Sequence, residues 1–288
     1  MSPFGQQLHD FIQTAGPGCR LRLAPTPSGF LHAGNALNFI FNWVTARYNH
    51  GTLLLRIDDL DADRKRPEYV QDVFDSLQWL GIDWDTGPKS APDFEQNWSQ
   101  HLRLPSYFTQ LEKLRSTGLL FACRKSRSDL APFQGIYPVE FRDQGLSLDD
   151  PDVAWRIQTP PGFSMPDFVV RRRDGIPAYQ VASLTDDVHF GITHVVRGMD
   201  LETSTEAQKF LAACLREDNF LKIKFLHHPL VLDASGEKLS KSAGASSLQA
   251  MRSAGADPAF VFRQSAQLSG IPVGQAKTLQ NLLNFFQS

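Results

Sequence analysis

His32, Ala33, Gly34 and Asn35 stand just after a Pro/Gly-containing loop and open a segment of helical periodicity. A helix start offers unpaired N–H groups and the positive end of a dipole. Gly34 lets a ligand approach the backbone closely, and His32 and Asn35 can donate hydrogen bonds to phosphate oxygens. At the end of a parallel strand this grouping makes a phosphate site. Taken alone, a His and a Gly near a helix start are more often a cap. Roughly two hundred residues later comes Lys238-Leu239-Ser240-Lys241-Ser242. Its two lysines and two serines can clamp a triphosphate and neutralise charge developing on departing pyrophosphate. By itself that pentapeptide reads equally well as a solvated surface loop.

These residues need a scaffold, and the sequence supplies one. Residues 20–25 read as a short strand running into the loop. A helix follows from near Leu31, with Leu37, Ile40, Phe41 and Val44 on one face and Gly51 as its stop. Residues 52–57 form a near-continuous apolar run, as expected of a buried parallel strand. Strand, helix and strand make a βαβ unit with a right-handed crossover. A second helix is expected over 67–80, with Pro67 in its first turn and Gly81 after its end, and a third over 107–116. Residues 126–166 hold many Pro, Gly and Asp and little periodicity, so they read as an insertion. The main fold resumes at 167, with a strand over 192–196 and a helix over 205–215, and residues 225–232 lead into a Gly-containing loop. Short helices close the chain.

The chain has 288 residues, 42% hydrophobic and 21% charged, and 29 Lys+Arg against 31 Asp+Glu give a net charge of −2. That excludes a bulk-basic nucleic-acid coat, though not a local basic groove. No apolar run reaches the roughly 18 residues of a membrane span, and the first residues do not read as a signal peptide. Three cysteines, Cys19, Cys123 and Cys214, are too few and too scattered for a disulfide scaffold. The expectation is a cytoplasmic protein, with a monomer as the default.

The two motifs together resemble the double signature of class I aminoacyl-tRNA synthetases. The stretches 22–29, 55–61 and 196–201 are similar to the glutamyl-tRNA synthetase catalytic core. The detail in 174–187 and 194–205 most resembles the glutamyl-queuosine tRNA(Asp) synthetases, short paralogues without the anticodon-binding region. About 46 residues follow the 238–242 motif, too few for a large anticodon domain. The likeness covers about 20–244. It implies an α/β fold: a Rossmann-type parallel-sheet catalytic core with an inserted acceptor-binding subdomain and a short helical C-terminal segment. The expected divisions are 1–122 and 167–244 for the two halves of the core, 123–166 for the insertion and 245–288 for the C-terminal segment.

The resemblance also assigns roles. Arg22, Ala24 and Thr26 match residues near the amino-acid substrate; Arg22 and Arg197 are partners for its carboxylates, Asp58 for its α-ammonium, and Tyr179 matches a pocket tyrosine. His32, Gly34, Asn35, Lys238, Ser240 and Lys241 match the ATP site, with His32, Asn35, Lys238 and Lys241 as the catalytic set. The implied reaction is glutamate activation by ATP with Mg²⁺, then transfer to queuosine at the wobble position of tRNA(Asp). Alternatives are a truncated synthetase-like ligase with another amino acid or acceptor, and a paralogue without catalysis.

Departures from the family pattern are informative. Asp58 stands where Glu is usual, one methylene short, and Thr26 where Ser is usual. Relatives hold zinc in the insertion through Cys-x-Cys, a Tyr and a further Cys. Here Cys123 and Tyr137 remain, but Lys125 and Phe141 fill the other slots. One thiol and one phenol cannot close a tetrahedral zinc site, so no structural zinc is expected. Packing must then hold the insertion, with Phe121, Phe133, Ile136 and Phe141 as its core. Arg124, Lys125 and Arg127, with Arg171, Arg172 and Arg173, form basic patches that either line a tRNA groove or face solvent. Asp58, Asp59, Asp61 and Asp63 are expected to pair with Arg56, Arg64 and Arg66 rather than to hold a metal.

Overall fold

The computed structural model describes residues 2–134, 136–230 and 247–287. Its contacts divide the chain into two compact units, one comprising 1–102, 192–201 and 223–288, the other 103–191 and 202–222.

The first unit begins with α1 (Pro3–Ala15), which the sequence reading did not anticipate. Its signals are local: Ser2 caps it by accepting from the Gly5 N–H, Pro3 occupies its first turn, and Phe4, Leu8 and Ile12 are buried at helical spacing. Strand β1 (Arg20–Leu23), helix α2 (Ala33–Tyr48) and strand β2 (Thr52–Leu55) follow. The two strands pair in parallel, Arg20 opposite Thr52 through Leu23 opposite Leu55. Both strands are shorter than expected, yet the pairing continues past them. Arg56 N–H donates to Leu23 O and Asp58 N–H to Pro25 O, each at 2.8 Å.

The expected stripe of α2 is buried, and so are Phe39, Asn42 and Trp43. The helix is covered on several sides because α1 and the C-terminal helices also pack against it. Gly51 does not act as a left-handed stop. His50 takes that conformation, at φ 52°. Gly51 is small for another reason: a Cβ there would lie 2.4 Å from the Cys19 carbonyl oxygen. Helix α3 (Pro67–Leu80) has its expected bounds, closed by left-handed Gly81, and the single turn α4 (Ala91–Asp93) follows.

The second unit contains α5 (Leu104–Ser116), β3 (Leu120–Cys123), α6 (Arg127–Leu130), β4 (Ala154–Ile157), β5 (Val169–Arg171) and α7 (Tyr179–His189). The strands form an antiparallel sheet in the order β3-β4-β5. Strand β4 lies inside the stretch that showed little periodicity. Residues 169–171, read as a return to the main fold, pair with it. On the helical side, Asp186 accepts from Arg103 at 2.8 and 3.0 Å and from the Tyr107 hydroxyl at 2.8 Å.

Strand β6 (His194–Gly198) belongs to the first unit. Helices α8 (Glu202–Leu215) and α9 (Asp218–Leu221) belong to the second. The chain ends in the first unit with β7 (Lys224–His228), α10 (Leu248–Ser253), α11 (Ala259–Ser269) and α12 (Leu279–Gln287). β6 and β7 pair in parallel. At its start β6 lies beside β1, where Thr193 N–H donates to Arg20 O at 2.9 Å. Farther along, Asn42 replaces the ladder. Its amide donates to Val196 O at 2.8 Å and accepts from Val196 N–H at 3.1 Å. A buried side chain thus satisfies both backbone groups where the β1-β2 and β6-β7 pairs are not joined by a ladder. No described helix is long and apolar enough to cross a membrane.

Candidate functional site

The start of α2 is a reciprocal capping box. His32 Nδ1 accepts from the Gly34 N–H at 3.1 Å, and Asn35 Oδ1 accepts from the His32 N–H at 3.0 Å. This is the pattern that ties down the orphan donors of a first helical turn. It also fixes the chemistry of both side chains. With Nδ1 accepting, the ring proton of neutral His32 lies on Nε2, and the amide nitrogen of Asn35 is its donor end. Gly34 serves the cap directly, since a Cβ there would sit 3.0 Å from the His32 ring. The cap reading of this motif holds, and the phosphate-site reading is compatible with it.

Around it, the first unit gathers most of the other expected residues. Arg22 lies on β1 and Arg197 on β6, only 3% and 1% exposed. Arg197 also stacks over the Phe225 ring at 4.8 Å. Such burial of guanidinium groups demands anionic or hydrogen-bonding company, and a bidentate fork suits a carboxylate. Ala24 and Thr26 lie half-buried in the loop after β1. Asp58 is buried beyond β2, and its carboxylate is held by Arg56 at 2.7 and 3.0 Å.

The neighbouring carboxylates diverge, as alternation along an extended chain requires. Asp59 accepts from Ser99 Oγ at 2.7 Å and Gln100 N–H at 2.8 Å and pairs with Lys65 at 3.1 Å. Asp61 pairs with Arg64 at 2.6 Å, whereas Arg66 donates to the carbonyls of Asp63 and Lys65. Among the described residues no group of three His, Cys, Asp or Glu side chains is placed to hold a metal.

Tyr179 belongs to the second unit, at the first position of α7, and is 39% exposed. Lys238, Ser240 and Lys241 lie outside the described residues. Sequence reasoning missed Asn42, whose one signal is an amide within an apolar helical stripe, and passed over Asp72, a carboxylate on the buried side of α3.

The zinc positions of the insertion hold a different arrangement. The Tyr137 hydroxyl, with one proton to donate, lies 3.2 Å from Cys123 Sγ and 2.8 Å from Phe141 O, and accepts from the Gln144 amide at 2.8 Å. Lys125 N–H donates to Cys123 Sγ at 3.3 Å, and the Lys125 ammonium lies 4.5 Å from the Phe141 ring centre. Arg156 covers the Tyr137 ring at 4.3 Å. These residues do not fit zinc; they engage one another. The apolar core beside them is Phe121, Cys123, Leu130 and Tyr137, with Phe141 packed against it. Phe133 and Ile136, expected in that core, are 39% and 55% exposed, whereas Leu130 and Tyr137 are buried in it. Of the basic residues nearby, Arg171 stacks on Trp155 at 4.8 Å, Arg172 pairs with Asp174 at 2.5 Å, and Arg173 donates to the Arg124 carbonyl.

Comparison with known proteins agrees with this geometry. The family described as tRNA synthetases class I (E and Q), catalytic domain, matches residues 19–134 and 141–287. The chain is 39% identical over 257 residues to a glutamyl-Q tRNA(Asp) synthetase of Synechococcus sp. (strain CC9605), covering 88% of this chain and 84% of that protein. It is 40% identical to a protein of that name from Parasynechococcus marenigrum (strain WH8102), covering 92% and 88%. A solved glutamate tRNA ligase from Elizabethkingia meningosepticum shares the fold, with a TM-score of 0.72 at 22% identity, over 92% of this chain and 64% of that one. The α/β architecture with parallel strand pairs, the capped α2 and these matches together place the chain in the class I tRNA synthetase (E and Q) catalytic-domain family, among the relatives named glutamyl-Q tRNA(Asp) synthetase.

Proposed function

We propose that the chain activates glutamate with ATP and transfers the glutamyl group to queuosine in tRNA(Asp). The observation that carries this reading is the capped start of α2, which aims phosphate donors in the same unit as two buried arginines on β1 and β6. In the first step an oxygen of the substrate α-carboxylate attacks the α-phosphorus of ATP. The new O–P bond makes glutamyl-adenylate, and pyrophosphate leaves. In the second step a hydroxyl of the queuosine ring attacks the activated carbonyl, loses its proton to water and displaces AMP.

Neither step needs a protein nucleophile; positioning and phosphate electrostatics suffice. His32 Nε2–H, the Asn35 amide and the backbone at Gly34, with the positive end of α2, take phosphate oxygens. Arg22 and Arg197 take the carboxylates, Asp58 the α-ammonium; Ala24, Thr26 and Tyr179 contribute to the amino-acid pocket. Lys238, Ser240 and Lys241 complete the ATP site by resemblance. Mg²⁺ would come with the nucleotide phosphates and would neutralise part of their charge there, so no all-protein cage is required.

The test is ATP–pyrophosphate exchange without tRNA, run across all amino acids, followed by transfer to queuosine-containing tRNA(Asp). Glutamate-dependent exchange and transfer are expected; exchange with no amino acid, with and without tRNA, overturns the reading. The Arg56 grip on Asp58 favours one second reading, activation of a different amino acid, and the same screen decides it.

A further inference from the structure

Asp72, on α3, is a buried carboxylate that the chemistry above does not use. Its Oδ2 accepts the backbone N–H of Leu31 at 2.9 Å, immediately before His32. Its Oδ1 accepts from the Ser76 hydroxyl at 3.4 Å and pairs with Arg252 Nη2. Arg252 lies on α10, the first described helix after the 238–242 motif, and its Nη1 also reaches Asp75 at 3.5 Å.

The start of α10 meets the same segment through backbone. Leu248 N–H donates to Leu31 O at 2.7 Å, and Ser247 bridges antiparallel to His32. Both peptide groups of Leu31 are thus held, the N–H by Asp72 and the carbonyl by Leu248. Arg252 links Asp72 to the helix that supplies Leu248.

Stability alone does not account for this arrangement. Desolvation raises the Asp72 carboxyl above its ordinary range, despite the opposing Leu31 N–H, Arg252 and Ser76. The buried Nε of Arg252 has no hydrogen-bond partner among the described residues. A desolvated ion pair with an unmatched donor is weak evidence for stability, and fixing register is the best-attested use of such pairs. What it fixes here is the approach to the capping box, where displacements of a fraction of an ångström weaken alignment on a phosphate.

We propose that Asp72 and Arg252 are positioning residues for the nucleotide, setting the place of His32 through Leu31 and joining it to the start of α10. This rests on the reading that the capped start of α2 takes ATP.

The test uses Arg252→Gln, Arg252→Lys and Asp72→Asn in the full chain. The readouts are glutamate-dependent exchange kinetics, ATP affinity by calorimetry and thermal unfolding. Arg252→Gln is expected to lower kcat about tenfold and weaken ATP several-fold, with the KM for glutamate unchanged. Arg252→Lys, which keeps the charge, should recover most of the loss. Asp72→Asn keeps an oxygen for the Leu31 N–H and should fall between. If Arg252→Gln melts earlier but, while folded, keeps wild-type kcat and ATP affinity, or if lysine does not rescue, the positioning role is wrong. A wild-type protein that neither exchanges nor binds ATP overturns the functional reading and this proposal with it. Exchange in the wild type with an indifferent Arg252→Gln overturns this proposal alone.

Discussion

The start of α2 and the Cys123 cluster pose the same problem and solve it over different distances. Each centres on a side chain that looks like a ligand, His32 in one and Cys123 in the other. At His32 the polar groups are satisfied within four residues, by a box that any helix start can use. At Cys123 they are satisfied by Lys125, Tyr137, Phe141 and Gln144, with Arg156 over the phenol ring. The first arrangement engages His32 Nδ1 and Asn35 Oδ1 at a helix start, a place that suits an anion as well as a cap. The second closes on itself. A local motif can carry chemistry and structure together, whereas a cluster assembled across the chain has been committed to structure.

Substitutions that separate activity from stability probe that distinction. The largest effect is expected for His32→Ala. Losing one preorganised donor to a phosphate oxygen should lower exchange about 100-fold. The lost cap costs about 1 kcal/mol, so the melting temperature should fall by only about 2–4 °C for a chain of this size. Exchange kinetics and a thermal melt on the same preparation check both. A large melting shift with unchanged exchange would reverse the roles of the two regions.

The same contrast explains what the sequence revealed. The α3 bounds were legible because Pro67, an apolar stripe and Gly81 lie in one continuous stretch. Helix α1 carries equally local signals in Ser2, Pro3 and the helical spacing of Phe4, Leu8 and Ile12. Strand β4 was not legible. Its four residues gain their identity from pairing with β3 and β5, which begin more than ten residues away on either side. Gly51 was misread because a stop glycine and a close-approach glycine look alike in one dimension; only the Cys19 carbonyl tells them apart. In the insertion, apolar type suggested Phe133 and Ile136 as core, but Leu130 and Tyr137 are the buried side chains there. At the start of α2, the cap formed by His32 and Asn35 was legible by type and spacing. The hold of Asp72 on Leu31 was not, since it joins residues 41 positions apart.

In the Cys123 cluster the expectation is the opposite of His32→Ala. Tyr137→Phe removes the hydroxyl that serves Cys123 and Phe141 and leaves the Gln144 amide without that acceptor. Buried groups stripped of partners cost about 1–3 kcal/mol, read as an earlier melt with glutamate-dependent exchange retained. Lys125→Ala is smaller. Its ammonium faces the Phe141 ring at a partly exposed site, a contact of about 0.5–1 kcal/mol, and a double variant with Phe141→Leu should lose less than the sum of the two. Full additivity would mean that the ammonium does not hold the ring.

The last effect is absent at neutral pH and appears only in alkali. Burial, then the hydrogen bond to Cys123, raises the Tyr137 phenol well above its ordinary value. The folded state therefore keeps a proton that the unfolded chain releases above about pH 10. The folded state binds more protons there, so stability falls as pH rises through that range. Cys123 has the opposite sign. Burial opposes its ionisation, but the donors Tyr137, Lys125 N–H and Gln144, with the Arg156 charge, outweigh it and lower the thiol. Between its folded value and the ordinary thiol range the unfolded chain binds more protons, so stability rises with pH. The cluster should therefore add stability as pH climbs toward about 9 and lose it beyond about 10. Urea unfolding of wild type and Tyr137→Phe across pH 7–11 isolates this, because the other tyrosines cancel in the difference. The wild-type advantage should grow slightly, then shrink. A difference that stays flat to pH 11 would show that Tyr137 ionises as freely folded as unfolded, and that the cluster is not the closed network its hydrogen bonds describe.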